Sequence, residues 1–163
     1  MSKNLKKIIY MALFIALSYI GANIKIPSPT GTVAFDSMPG FLAALLLDPL
    51  SGAVCAFSGH IFTSLVVGFP LTLPLHILIG IEMAVFAFIF GIIYTKNSYI
   101  GDVIAILLNG VAAPASFIPI KGFGKPFFLA MVLPLLVASF ANIFLADMVY
   151  RGIKKLTGDK NVF

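Results

Sequence analysis

The sequence predicts an all-α membrane protein, a bundle of six short transmembrane helices with both termini cytoplasmic. Three observations predict it: an apolar excess that no soluble core can hide, six separate apolar segments, and basic residues gathered on alternate connections. Hydrophobic residues make up 60% of the 163-residue chain and charged residues 10%, whereas soluble domains carry about a quarter charged residues. This length suits one bundle of short spans, so residues 1–163 read as a single six-helix transmembrane domain.

The first segment covers residues 8–24. Lys3, Lys6 and Lys7 precede it in the manner of a signal peptide, but no small-residue cleavage site is evident and further spans follow, which predicts a retained first helix. After the proline-bearing stretch 25–37, a second, short segment covers 38–47, with Asp36 and Ser37 available to cap it. Asp48 and Pro49 mark a break and a fresh start, giving a third segment over 50–67. Following the turn Gly68-Phe69-Pro70-Leu71, Thr72 is placed to cap a fourth that ends near Tyr94. Segments five, 101–118, and six, 126–150, flank the loop 119–125, and Pro114 and Pro134 are expected to kink them.

Six spans put both termini on one side, together with Lys3, Lys6, Lys7, Lys96, Arg151, Lys154, Lys155 and Lys160; only Lys25, Lys121 and Lys125 lie opposite. The basic side is the cytoplasmic one. The net charge of +5 follows from these flanking lysines and calls for no nucleic-acid partner.

Polar residues at membrane depth are costly and usually face a cavity or a partner. Counting about 1.5 Å per residue, His60, Glu82 and Asn109 lie roughly 12 to 14 Å below the outer ends of three different segments. Asn142 lies deeper in the sixth, and His76 lies one or two turns inside the fourth. Any one of them also suits a hydrogen bond between helices, and Glu82 could pair with His60 structurally. Together they point to a pocket open to the outside. Above it, the stretch 25–36 has the length of a lid, stiffened by Pro27 and Pro29, with Ser28, Thr30, Thr32 and Asp36 offering hydrogen bonds. Phe35 and Phe69 near the mouth, beside Thr72, could stack a flat ligand.

Other chemistries lack their residues. The closest string to a phosphate-binding loop, Gly122-Phe123-Gly124-Lys125-Pro126, has neither the spacing nor the hydroxyl. No His-Glu-x-x-His, Gly-x-Ser-x-Gly or metal-ligand cluster is present, and Ser58 and His60, two apart on one helix, point to different sides. The sequence therefore predicts no enzyme, no metal and no cofactor. Cys55, the single cysteine, reads as a small buried hydrophobe.

The six short spans, the lid-like first outer loop and Ala12-Leu13-Phe14-Ile15-Ala16 together resemble the substrate-binding S components of energy-coupling factor (ECF) transporters. In that family an Ala-x-x-x-Ala motif forms the docking surface for the coupling subunit, which fits two alanines on one helix face allowing close approach. The match covers nearly the whole chain and rests on pattern, since small-x-x-x-small spacings such as Gly80 and Ala84 are common. Residues 26–33 and 68–76 look most like the group assigned to α-ribazole, the nucleoside of the lower cobalamin ligand.

The resemblance implies a substrate-binding subunit that captures a vitamin-related molecule outside and hands it to a transmembrane coupling subunit driven by two cytoplasmic ATPases. The expected substrate-binding residues are Ser28, Thr30, Phe35, Asp36, His60, Phe69, Thr72, His76, Glu82, Asn109 and Asn142, with Ala12 and Ala16 at the coupling-subunit interface. The rival reading is a small proton-linked carrier or channel with a His60/Glu82 relay; a structural scaffold is a third.

Overall fold

The computed structural model describes residues 2–31 and 33–158; Thr32 and Lys160 of the expectations above lie outside these. It is all-helical. The helices are α1 (Lys3–Ala22), α2 (Met38–Leu46), α3 (Pro49–Val66), α4 (Leu73–Tyr94), α5 (Ser98–Ser116) and α6 (Gly124–Thr157). Five are long and apolar enough to cross a membrane. The nine residues of α2 span only about 14 Å, half of a hydrocarbon core. Even so, residues 35–48 cover more depth than α2 alone. The Phe35 amide donates to Gly21 O at 3.2 Å, while Asp48 meets Lys7 at 2.7 Å. Gly21 and Lys7 lie about 21 Å apart along α1.

Further contacts set the direction of each helix. Gly91 near the end of α4 abuts Pro49 at the start of α3, and Tyr94 packs on Gly101 of α5 and Tyr150 of α6. The two ends of the described chain therefore occupy the same end of the bundle. There Tyr94 Oη donates to Asp147, which Arg151 Nε also reaches at 2.7 Å while Arg151 Nη2 donates to Ser98 at 3.0 Å. The last turns of α6 run past the predicted boundary at 150 and carry Arg151, Lys154 and Lys155.

A side-chain cap forms at the expected break at Asp48 and Pro49, and none forms at Ser37 or Thr72, where the sequence suggested one. Asp48 accepts from the Ser51 amide at 3.0 Å and from the Ser51 hydroxyl at 2.8 Å, starting α3 directly after α2. Burial acting alone would raise the Asp48 carboxyl, but the Lys7 ammonium and the Ser51 donors outweigh it and hold it below its ordinary value. Ser37 and Thr72 occupy cap positions without a side-chain cap bond. Thr72 instead sits at φ 80°, ψ 152°, a region that side chains avoid at a cost of about 1 to 3 kcal/mol. Phe69 is also at positive φ, 50°.

Close packing replaces the hydrophobic drive that lipid cannot supply. A methyl group at Gly40 would come within 2.8 Å of Ala56 Cβ, and one at Gly52 would collide with Ala44, so α2 and α3 meet through small residues. Phe41, Cys55, Ala87, Phe90 and Ile143 fill the centre; Cys55 is fully buried, its Sγ 3.7 Å from Met11 O. Pro114 has no amide to give to Gly110 O, the bond an α-helix requires, and α5 widens into a π turn at Leu108–Ala112 just before it. Pro134 lies inside α6, which stays continuous.

Candidate functional site

A cavity of about 110 Å³ opens between the outer loop, α3, α4, α5 and α6. Its α4 wall is His76, Ile79 and Met83; its α6 wall is Phe127, Met131, Leu135 and Ala138. Both sets follow helical spacing, so each helix gives one stripe to the cavity. Pro114 and Phe117 of the α5 end close the side, and Phe117, Phe123 and Phe127 pack with ring centroids 4.8 to 5.2 Å apart.

The outer loop covers this space. Lys25 and Ala34 pair in an antiparallel bridge, the Ile26 amide donates to Val33 O at 2.8 Å, and Gly31 turns the chain at φ 64°. Val33, only 5% exposed, is inserted against Met131 and Ala138 with Ile26 beside it. Thr30 Oγ1 approaches Met131 Sδ at 4.0 Å.

Four polar residues reach the cavity: Asp36, His60, His76 and Asn109, with Ser37 at the rim. His60 Nε2 and His76 Nδ1 are 3.1 Å apart, and Ser64 Oγ lies 3.3 and 3.0 Å from them. His76 Nε2 accepts from the Leu71 amide at 3.3 Å. His60 Nδ1 faces Asp36 Oδ2 at 3.7 Å, outside hydrogen-bond range. The Ser64, His60 and His76 triangle has edges a tetrahedral metal would accept. A metal on His76 Nδ1, however, needs a proton on Nε2, where the Leu71 amide already donates. Among the described residues no group of three or more His, Cys, Asp and Glu is arranged for a metal.

Asn109 lies in the π turn, and its Nδ2 donates to Ser139 Oγ at 3.0 Å. Ser139 gives its own proton to Leu135 O at 2.6 Å, so it can only accept from Asn109. The orientation of the amide is thereby fixed, and Asn109 Oδ1 is left without a protein donor among the described residues. Asn142 differs. Its Oδ1 accepts from the Met38 amide at 2.8 Å, and its Nδ2 donates to Ala34 O at 3.0 Å and Ala138 O at 2.8 Å. All its hydrogen-bonding groups serve the backbone, and it fastens the loop and the start of α2 to α6.

The other expected site residues stand apart. Glu82 does not line the cavity; it lies about a quarter turn around α4 from the stripe of His76, Ile79 and Met83, beside Ser116. Its Oε2 is buried without a hydrogen-bond partner. No hydrogen bond or ion pair joins it to His60 among the described residues, whose partners are those above. Phe69 packs against His76 with ring centroids 5.7 Å apart and planes tilted by 54°, and it is not among the residues that line the cavity. Thr72 is exposed, and Phe35 and Ser28 are partly buried outside the lining, with Ser28 Oγ unpartnered. Ala12 and Ala16 are exposed together on the outer side of α1, which buries Phe14, Ser18 and Ala22 on the opposite side.

Sequence reasoning missed Met83, Met131, Phe117, Phe127, Ser64 and the Leu71 amide. The i, i+3, i+7 spacing from His76 would have found Met83 and excluded Glu82. Comparison with curated proteins and with solved structures gives no match. Among protein families, the model of the ECF transporter substrate-specific component matches residues 6–154. That span takes in all but the outermost turns of the bundle, the loop and every residue of the cavity, so the chain belongs to the family of ECF transporter substrate-specific components.

Proposed function

We propose that the chain captures a small, neutral, aromatic vitamin-related molecule outside the cell, with α-ribazole the best candidate, and delivers it through a coupling subunit powered by two cytoplasmic ATPases. In this reading residues 35–48 make a sixth crossing and both termini are cytoplasmic. The observation that carries it is the cavity itself, with flat apolar walls from Met83, Phe117, Phe127 and Met131 and a polar side from Asp36, His60 and Asn109. An aromatic ring suits the first and hydroxyl groups the second, since Asp36 and Asn109 Oδ1 both accept hydrogen bonds. Among the described residues that line it there is no lysine or arginine to hold an anion. Of the expected site residues, Asp36, His60, His76 and Asn109 are proposed to face the substrate, Thr30 and Phe69 to support the loop and His76. Asn142 is proposed to hold the loop's base.

The outward-facing Ala12 and Ala16 support docking of a coupling subunit on α1, where partner helices can approach closely. A proton-linked carrier using His60 and Glu82 lacks the contact between them. Native mass spectrometry of the detergent-solubilised protein tests the reading. The expected passenger is a neutral aromatic nucleoside or vitamin precursor, with affinity of roughly -8 to -12 kcal/mol; a tightly held metal ion or inorganic anion would refute it.

A further inference from the structure

The turn 68–72 is joined to α3 by one hydrogen-bonded path, from the Leu71 amide through His76 to His60, whose polarity is fixed at one end and whose other end faces Asp36 of the outer loop without a hydrogen bond. A backbone amide only donates, so His76 Nε2, accepting from Leu71, carries no proton. Neutral His76 therefore holds its proton on Nδ1, which points to His60 Nε2 at 3.1 Å and to Ser64 Oγ at 3.0 Å, so that His60 Nε2 accepts either this proton or the Ser64 hydroxyl relayed from it at 3.3 Å. His60 then keeps its own proton on Nδ1, a buried atom without a hydrogen-bond partner that faces Asp36.

We propose that the His60–His76 pair is a proton-operated latch, which holds the turn 68–72 through the Leu71 amide when neutral and releases it on taking up one proton. The reason is proton counting. The pair has two vacant nitrogens, His60 Nε2 and His76 Nε2. A proton placed on His76 Nε2 meets the Leu71 N–H directly and breaks that bond. One placed on His60 Nε2 faces the His76 Nδ1 proton across 3.1 Å; relief moves the latter to His76 Nε2, with the same result. Phe69 and Thr72, both at positive φ, give the turn reason to relax once freed.

The titratable groups facing the pair are Asp36 and Lys25 from the outer loop, with Ser64 as the neighbouring hydroxyl on α3. From α5 and α6 the cavity wall carries no titratable side chain, and Glu82 lies around α4 on another side. Release would uncover the mouth beside His76, so the latch is a regulation of the cavity and rests on the reading above for its purpose. Its physics needs no ligand, and the test uses ligand-free protein, so the latch and the substrate assignment can fail separately.

The experiment is a pH titration of the full chain in lipid nanodiscs, following imidazole nitrogen-15 resonances and amide exchange together. At neutral pH, His76 should show a protonated Nδ1 and a bare Nε2. As the pair takes up its first proton, the protection of the Leu71 amide, corrected for the intrinsic pH dependence of exchange, should fall about fivefold to tenfold with the same midpoint. In His76→Gln, whose side-chain oxygen accepts at that position and does not titrate, the fall should vanish. Ser64→Ala should keep it. A protonated Nε2 on His76 at neutral pH, protection of Leu71 unchanged through the ring titration, an equal fall in His76→Gln, or its loss in Ser64→Ala each overturns the latch.

Discussion

Asn109 and Asn142 show how the same residue type at membrane depth divides into two roles. Asn142 spends every donor and acceptor on Met38, Ala34 and Ala138. Asn109 gives one proton to Ser139 and keeps its oxygen. Asn142→Ala is therefore expected to lower stability by about 2 to 4 kcal/mol, because buried backbone groups lose their partners; thermal unfolding in detergent checks it. Asn109→Ala is expected to weaken substrate binding by about 1 to 3 kcal/mol with a smaller effect on unfolding, read by calorimetry. The sequence places both as polar groups inside a membrane, since charge and amide content are visible in the string. It does not say which way an amide points, because that depends on Ser139 and Leu135, which no local pattern links to Asn109. Glu82 fails differently: its depth is legible, but depth alone is silent on which side of α4 it takes.

Among the elements, the start of α3 and its break from α2 were readable because Asp48-Pro49 is a local signal for a cap and a first turn, whereas α1 begins at Lys3 and α5 at Ser98, ahead of the expected 8 and 101. The cavity walls were not. Apart from scattered polar residues such as Glu82 and Asn142, α4 and the middle of α6 are apolar on every side, so the stripes 76, 79, 83 and 127, 131, 135 have almost no polar background to stand against. The π turn in α5 was also hidden; Pro114 announces a disturbance, but not that the helix would widen and carry Asn109. Helix α1 is the least embedded long element, with 11% of its apolar window buried, and its outer side bears Ala12 and Ala16. Replacing either alanine with tryptophan should abolish uptake in cells that carry the coupling subunits and leave binding by the isolated protein nearly unchanged. Uptake at the normal rate by both variants would count against a docking role for this side.

For the molecule as a whole, the Lys7–Asp48 pair connects α1 to the α2–α3 junction at the end where both chain ends gather. A carboxylate held below its ordinary value stabilises the fold above that ordinary range, and the contribution is lost as pH falls through the folded value. The difference in melting temperature between wild type and Lys7→Ala should thus be present at neutral pH and fade below about pH 4. It should be small, because the pair is partly exposed and screened. Two turns further along α3 lies Cys55, whose sulfur is sealed under Met11 of α1. As the only thiol in the chain, it is a built-in clock for the separation of α1 from α3. In the folded protein a maleimide should react no faster than the two helices part, so the labelling rate reports how often the first helix lifts off. A reporter cysteine added at Gly31 or Phe69 would meanwhile label alone, and loop movement could be followed in a chain that keeps its native thiol.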